Sequence, residues 1–361
     1  MVDRRTLLKG SVAYVGSLQF RPGINAVGAD ESELFLVTSS GSNTVEFVNG
    51  VTGEYSTLEV GASPWGLAVG PGRIAFAATG EGVAEFDTLH RRLNSVTPYS
   101  SWSGEISYGE YRPAGMGIAV APNSSTSYTG VYLPEGDSLL EVMNVESKQV
   151  VAAVPIGLRP FQVLVSKDGA FVFTIDHDSY SVTVLDTDTK KTVTRKVAPL
   201  GDVNGLSGFG KPHYAALAEN GDLLLPFQGQ TLLRVDPLTG ESSLQPLTAN
   251  THQHGIALSP DGSLAAIVGT GAAGGATNGP SLTILEIETG TEQIVPLDRQ
   301  HEQAIWSHDR RRVVLTGGYT FGAGGWNGLT LFDFETENIT EWELGSLPLE
   351  IARLPSGGSS G

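Results

Sequence analysis

Short apolar runs alternate with polar breaks rich in glycine and proline along almost the whole chain, and no long charged periodic stretch interrupts them. The runs follow a fixed order. A phrase that opens near a proline leads into a first apolar strand, as in Pro64-Trp65-Gly66-Leu67-Ala68-Val69, Pro160-Phe161-Gln162-Val163-Leu164-Val165 and Gln253-His254-Gly255-Ile256-Ala257-Leu258. A polar turn such as Lys167-Asp168-Gly169 or Glu219-Asn220-Gly221 follows, then a second apolar strand such as Phe171-Val172-Phe173, and together these predict a hairpin. A third strand ends in a phrase like Leu185-Asp186-Thr187-Asp188-Thr189, and a fourth, alternating strand leads to the next opening phrase. That phrase recurs near residues 22, 64, 113, 160, 212, 253, 302 and 348, a period of roughly 47 residues.

Four strands per repeat make one blade, so the predicted fold class is all-β, a β-propeller with seven complete four-stranded blades. A further innermost strand at 349–354, with a hairpin formed by 5–8 and 11–18, leaves chain for a short eighth blade closed by both termini. Seven blades with loose ends is the alternative; the eighth blade is the reading taken. The expected domains are an N-terminal hairpin over 1–21, the propeller over 22–355 and a flexible Ser/Gly tail over 356–361.

The order of proline, apolar strand, Ser-Pro-Asp-Gly, apolar strand and aliphatic-Asp-x-x-Thr-Gly resembles the YVTN or lactonase-like β-propeller repeat. Ser259-Pro260-Asp261-Gly262 is its cleanest copy, and the likeness covers nearly the whole chain. The resemblance implies a fold more than an activity. Members of such families include lactonases, lyases, cofactor-bearing dehydrogenase subunits and surface proteins with no known reaction.

Strand order fixes two faces of the disc. The connections entering each first strand and those joining the second strand to the third emerge on one side, here called upper; the Asp-Gly and Thr-Gly turns occupy the other. The long insertions at 99–112, 199–211, 269–280 and 317–327 all fall on the upper face. Long loops on a rigid scaffold are where binding usually resides, which places the expected site at the upper mouth of the central channel.

Charge and composition narrow the partners. With Lys+Arg at 22 against Asp+Glu at 39, the formal net charge of −17 repels phosphate backbones and anionic membrane surfaces, so neither nucleic acid nor membrane is expected. No run reaches the length a membrane helix needs, and a soluble body is expected. Zero cysteines remove thiolate chemistry and disulfides alike. Residues 3–9, Asp3-Arg4-Arg5-Thr6-Leu7-Leu8-Lys9, resemble a twin-arginine export motif, but Gln19, Arg21 and Pro22 cut short the apolar segment an export signal requires, so the match is read as fortuitous and the residues as part of the hairpin; a location outside the cytoplasm is nonetheless the one favoured. Oligomeric state is not legible.

Residues at the start of each innermost strand lie nearest the mouth. Reading round the ring these are Trp65, Ala114, Phe161, His213, His254 and Glu302, with His252 and His301 close by and His177 in an upper loop of blade four. His213, His254 and His301, with His252 as substitute, are the candidate ligands of a divalent metal, since three imidazoles with one open position suit catalytic zinc. The competing reading makes them separate hydrogen-bonding groups in a wet channel. His213, His254 and Glu302 are the candidate catalytic residues, Glu302 as general acid or base. Trp65, Trp102, Tyr111, Phe161, Tyr214 and Trp326 are the candidate apolar wall for a ligand, whereas Trp306, inside a first strand, is expected to pack in the core. Asp176-His177-Asp178 is read as a turn, and Gly269-Thr270-Gly271-Ala272-Ala273-Gly274, which matches the dinucleotide fingerprint, is dismissed because it lies between strands rather than opening a helix. The expected function is an enzyme of hydrolase, lyase or cyclase type acting on a small neutral or cationic organic molecule. A non-catalytic propeller binding protein or glycan, and a redox-cofactor propeller with histidines on a haem, are the alternatives.

Overall fold

The computed structural model describes residues 33–123, 125–134, 138–197, 211–227, 231–249, 253–270, 279–318 and 325–355. Within them the chain forms seven four-stranded antiparallel sheets and no helix, a seven-bladed β-propeller. The innermost strands of blades 2 to 7 are Leu67–Val69, Ala114–Val120, Pro160–Val165, Ala216–Leu217, Gln253–Leu258 and Ala304–Trp306. Blade 1 is assembled from both ends of the described chain: Leu34–Ser39, Thr44–Asn49 and Tyr55–Glu59 are joined by Pro348–Arg353 as innermost strand.

That last strand corrects the blade count. Leu36 pairs with Ala352 and Val37 with Ile351, so 348–353 completes the first blade instead of founding an eighth. The expected strand near Pro22, the export-like residues 3–9 and the hairpin and tail expected at the two ends lie outside the described residues.

The periodicities read from sequence have a packing cause. Middle strands such as Leu34–Ser39 and Phe171–Asp176 are buried on both faces between neighbouring blades, so they read as near-continuous apolar runs. Outer strands such as Gln149–Ile156 alternate exposed and half-buried residues because one face looks to solvent. The turn phrases work as their chemistry demands: Gly169 and Gly262 adopt left-handed φ of 75° and 72°. The carboxylate of Asp186 accepts from the backbone N–H of Asp188 and Thr189 at 3.0 and 2.8 Å, which explains the recurrent Asp-x-x-Thr.

Candidate functional site

The centre of the disc is packed side chain. Trp65, Met116, Phe161, Tyr214 and Leu349, from blades 2, 3, 4, 5 and 1, belong to one buried cluster, and none exposes more than 2% of its surface. Trp65 and Phe161 meet edge to face with centroids 5.6 Å apart, across the intervening blade, a contact available only near the axis. Of the six expected wall residues, Trp65, Phe161 and Tyr214 therefore plug the channel.

Polar groups gather on the upper side of this plug. The Tyr214 hydroxyl donates to Glu302 Oε1 at 2.8 Å, spanning blade 6. His254 Nδ1 lies 2.9 Å from Glu302 Oε2, though the angle is too bent for a well-made hydrogen bond. The His254 ring is 4.5 Å, centroid to centroid, from that of His213, tilted by 31°. His213 Nε2 in turn lies 3.1 Å from Nε2 of His177, whose ring stacks on Phe161 at 4.6 Å. Exposure is 0% for Glu302, 2% for His254, 5% for His213 and 2% for His177, so the row sits in protein rather than in water.

The row ends on a charged rim. His177 Nδ1 contacts Asp178 Oδ1 at 2.9 Å, and Lys211 Nζ donates to the same oxygen at 2.6 Å. Arg159 Nε donates to Asp178 Oδ2 at 2.8 Å and its Nη1 to Glu110 Oε1 at 3.2 Å, while its guanidinium lies 3.6 Å from the centre of the exposed Tyr111 ring. Glu110 Oε1 is 4.0 Å from His177 Nε2. Ser63, Arg159 and Leu347, each just before the proline that opens an innermost strand, share left-handed backbone with φ of 49°, 52° and 60°. Such local strain concentrates where surrounding structure enforces it.

Burial sets the protonation of these groups. It pushes His177 down to about 4 despite the Asp178 contact, with the Arg159 charge adding to the fall. Burial works against Asp178 ionising, but hydrogen bonds from His177 and Lys211 and the Arg159 charge together hold it well below the usual carboxylate range. Tyr214 is pushed well above its ordinary value by burial and by the Glu302 and Glu350 charges, so its hydroxyl keeps its proton and donates. Glu350, half-buried on the blade 1 strand, is raised to about 7, mainly by burial, with the Glu302 charge adding and hydrogen bonds from Ile351 and Gln303 opposing.

The structure thus brings His213, His254, Glu302 and Tyr214 together on the upper side. His301 stands apart: its Nε2 lies 2.7 Å from Thr330 Oγ1 inside blade 7, and Trp326 Nε1 donates to that nitrogen at 3.4 Å. His252 lies outside the described residues, as does 271–278 of the glycine-rich loop. Trp102 packs against the Phe76 and Tyr99 cluster of blades 2 and 3. Trp306 is core, stacked on Phe334 at 5.1 Å.

Glu110, Arg159 and Lys211 were not among the residues singled out from sequence, whereas His177 was counted with the upper-face histidines although Asp176-His177-Asp178 was read as a turn rather than a metal motif. The turn is real; it is also what delivers the imidazole to the mouth. A signal was present, since acids flank His177 where another repeat has Ser42-Asn43, and Arg159 and Lys211 hold equivalent places before repeat-opening prolines. Glu110 lies within a non-repeating insertion and had no such signal.

Set against solved structures, the chain falls in the class of seven-bladed β-propellers. A protein of Bacteroides fragilis provisionally named a 6-phosphogluconolactonase matches with a TM-score of 0.63 and 17% identity, over 91% of this chain and 99% of that one. The hydrazine synthase of Kuenenia stuttgartiensis matches with a TM-score of 0.55 and 16% identity, over 75% of this chain and 77% of that one. No family model and no curated protein matches the sequence. Likeness at this identity carries the architecture alone.

Proposed function

We propose that the chain is an enzyme acting on a small organic molecule by general acid–base chemistry at the upper mouth of the propeller. One observation carries this reading: a wholly buried carboxylate, Glu302, is held between the Tyr214 hydroxyl at 2.8 Å and His254 Nδ1 at 2.9 Å, beside a second imidazole. Burying a carboxylate is costly unless donors compensate it, and here the Tyr214 hydroxyl donates to one oxygen while the His254 imidazole, which can itself carry a proton, stands against the other. In this reading Glu302 orients His254 and stabilises it when charged, His254 exchanges the proton with substrate, and the Tyr214 O–H fixes the carboxylate.

A neutral or cationic substrate fits the mouth better than an anion. Its cations are already engaged: Arg159 by Glu110 and Asp178, Lys211 by Asp178, and Arg112 by the carbonyls of Pro113 and Gly115. The lactonase-type name of the Bacteroides relative makes opening or closing of a cyclic ester the first reaction to try.

The plugged axis favours a second reading, a propeller that binds a partner without turnover, because among the described residues the axis beside the polar row is filled by packed side chains. Planar redox cofactors fit poorly between His213 and His254, whose rings are only 4.5 Å apart. Purified protein assayed against a panel of small lactones and esters by pH-stat separates the two. Turnover is expected, with kcat/KM reduced roughly 10²- to 10⁴-fold in Glu302→Gln and in His254→Ala while near-ultraviolet circular dichroism stays native. Full activity of Glu302→Gln, or no turnover across the panel, sinks the enzymatic reading.

A further inference from the structure

We propose that Glu110, His177 and His213 form a binding site for one divalent transition-metal ion, with zinc the first candidate. One ligand atom from each of the three lies within 4.8 Å of the other two. The set differs from the three-histidine group expected from sequence: His177 and Glu110 take the places given to His254 and His301.

The tautomer of His177 leaves one of its ring nitrogens open to an ion. The Asp178 carboxylate, which takes hydrogen bonds from Lys211 and Arg159, faces Nδ1 at 2.9 Å, so Nδ1 is the donor there and Nε2 offers its lone pair. That lone pair points at His213 Nε2 from 3.1 Å and has Glu110 Oε1 at 4.0 Å. Two imidazole nitrogens this close require either a proton or a cation between them. Around a tetrahedral zinc with bonds near 2.0–2.1 Å, neighbouring ligand atoms are about 3.4 Å apart. The two distances from His177, 3.1 and 4.0 Å, bracket that value, and the third side of the triangle lies within 4.8 Å, so small side-chain rotations of Glu110 and His213 bring the three atoms onto one ion.

Ligand chemistry points the same way. Two imidazoles and one carboxylate suit zinc and its first-row neighbours, whereas magnesium and calcium favour all-oxygen shells. Three protein ligands leave one position for water or substrate. The chain of carboxylate, histidine and ion, with Asp178 behind His177, is the arrangement that orients metal-bound imidazoles. Arg159, which shares Glu110 Oε1, fixes that carboxylate in place and lowers the affinity below that of a purely acidic shell.

Ion binding needs no substrate, so this inference goes beyond the acid–base reading and fails separately from it. Chelator-treated protein is titrated with Zn²⁺ by calorimetry and with Co²⁺ by visible absorption, where the lack of cysteine excludes thiolate bands. The expected result is one ion per chain, with affinity reduced at least about tenfold in Glu110→Gln and His177→Ala and about 10- to 100-fold in Asp178→Asn. His301→Ala is expected to bind like the parent. Zn²⁺ is also expected to raise the melting temperature of the parent but not of His177→Ala. Parent protein that takes up no ion, or that loses it equally in His301→Ala and Glu110→Gln, overturns the site and leaves the 3.1 Å contact as a hydrogen bond between imidazoles. Protein that binds the ion but turns over none of the lactones supports this inference and not the enzymatic one.

Discussion

Glu350 and His301 respond to burial in opposite directions, and the difference is measurable. A carboxyl raised to about 7 binds its proton more tightly folded than unfolded, so stability it lends at low pH is lost as pH climbs from about 4.5 through 7. Burial pushes His301 down to about 4; its folded form resists protonation, so its contribution is present above about 6.5 and lost as pH falls through 4. The opposing effects partly cancel from about 4.5 to about 7, with His177 acting in the sense of His301, and as the unfolded imidazoles finish losing their protons near neutrality the carboxyl effect prevails. The urea midpoint is therefore expected to fall between pH 6.5 and 7.5. Asp176, raised to about 7 mainly by burial, acts in the same sense, so Glu350→Gln should reduce that fall and His301→Gln should steepen it slightly. A midpoint that rises over the same interval contradicts the assignment. At this scale the sequence was partly legible. His213, His254 and Glu302 stood at strand entrances that repeat alignment identifies, whereas the separation of His301 depends on a hydrogen bond to Thr330, a partner 29 residues away that no local pattern reveals.

Successive innermost strands approach so closely that some positions tolerate no side chain. The Gly66 N–H donates to Met116 O at 3.0 Å and the Gly255 N–H to Glu302 O at 2.7 Å, tying each strand to that of the next blade. A methyl group on Gly66 would stand 2.3 Å from the Met116 carbonyl oxygen, and one on Gly255 would stand 2.6 Å from the Gln303 Cα. Neither backbone atom can rotate away, so the blades themselves must part. Gly66→Ala and Gly255→Ala are each expected to cost about 1–3 kcal/mol, read as a lower urea midpoint with unchanged m-value. Gly72→Ala is a less direct comparison, because φ there is 73° although the space is open; strain alone should cost about 1 kcal/mol. Equal stability of parent and Gly66→Ala would show that the inter-blade hydrogen bonds matter little. Strands and turns were largely readable at this level, since double-sided burial writes continuous apolar runs and Asp-Gly turns mark their ends. The glycines beside Trp65 and His254 carried the closeness of neighbouring blades, a meaning visible only once the ring is closed.

Closure is where local reading stopped. Eight copies of one phrase were present, but whether the last copy begins a new blade or finishes the first depends on pairing across more than 300 residues, as between Val37 and Ile351. Sequence spacing is blind to that pairing, because a ring of seven and a ring of eight use the same repeat. The consequence is that blade 1 borrows its innermost strand, and the circle holds only while Pro348–Arg353 stays docked. Its anchors are Leu349, wholly buried in the axial cluster, and Ile351, packed with Phe35 and Val37. Leu349→Ala is expected to cost about 2–5 kcal/mol, since it opens a cavity in a cluster to which six blades contribute. Ending the chain at residue 346 removes the strand altogether and strips the inner edge of Leu34–Ser39 of its partner. Such a chain should lose protection of 34–39 from hydrogen exchange, expose a new cleavage site there under limited proteolysis, and melt at a lower temperature. A synthetic peptide spanning 345–355, added in excess, should restore protection in proportion to its concentration, because it rebinds the folded ring and not the unfolded chain. If the shortened chain melts like the full one and ignores the peptide, the two ends do not hold the propeller shut.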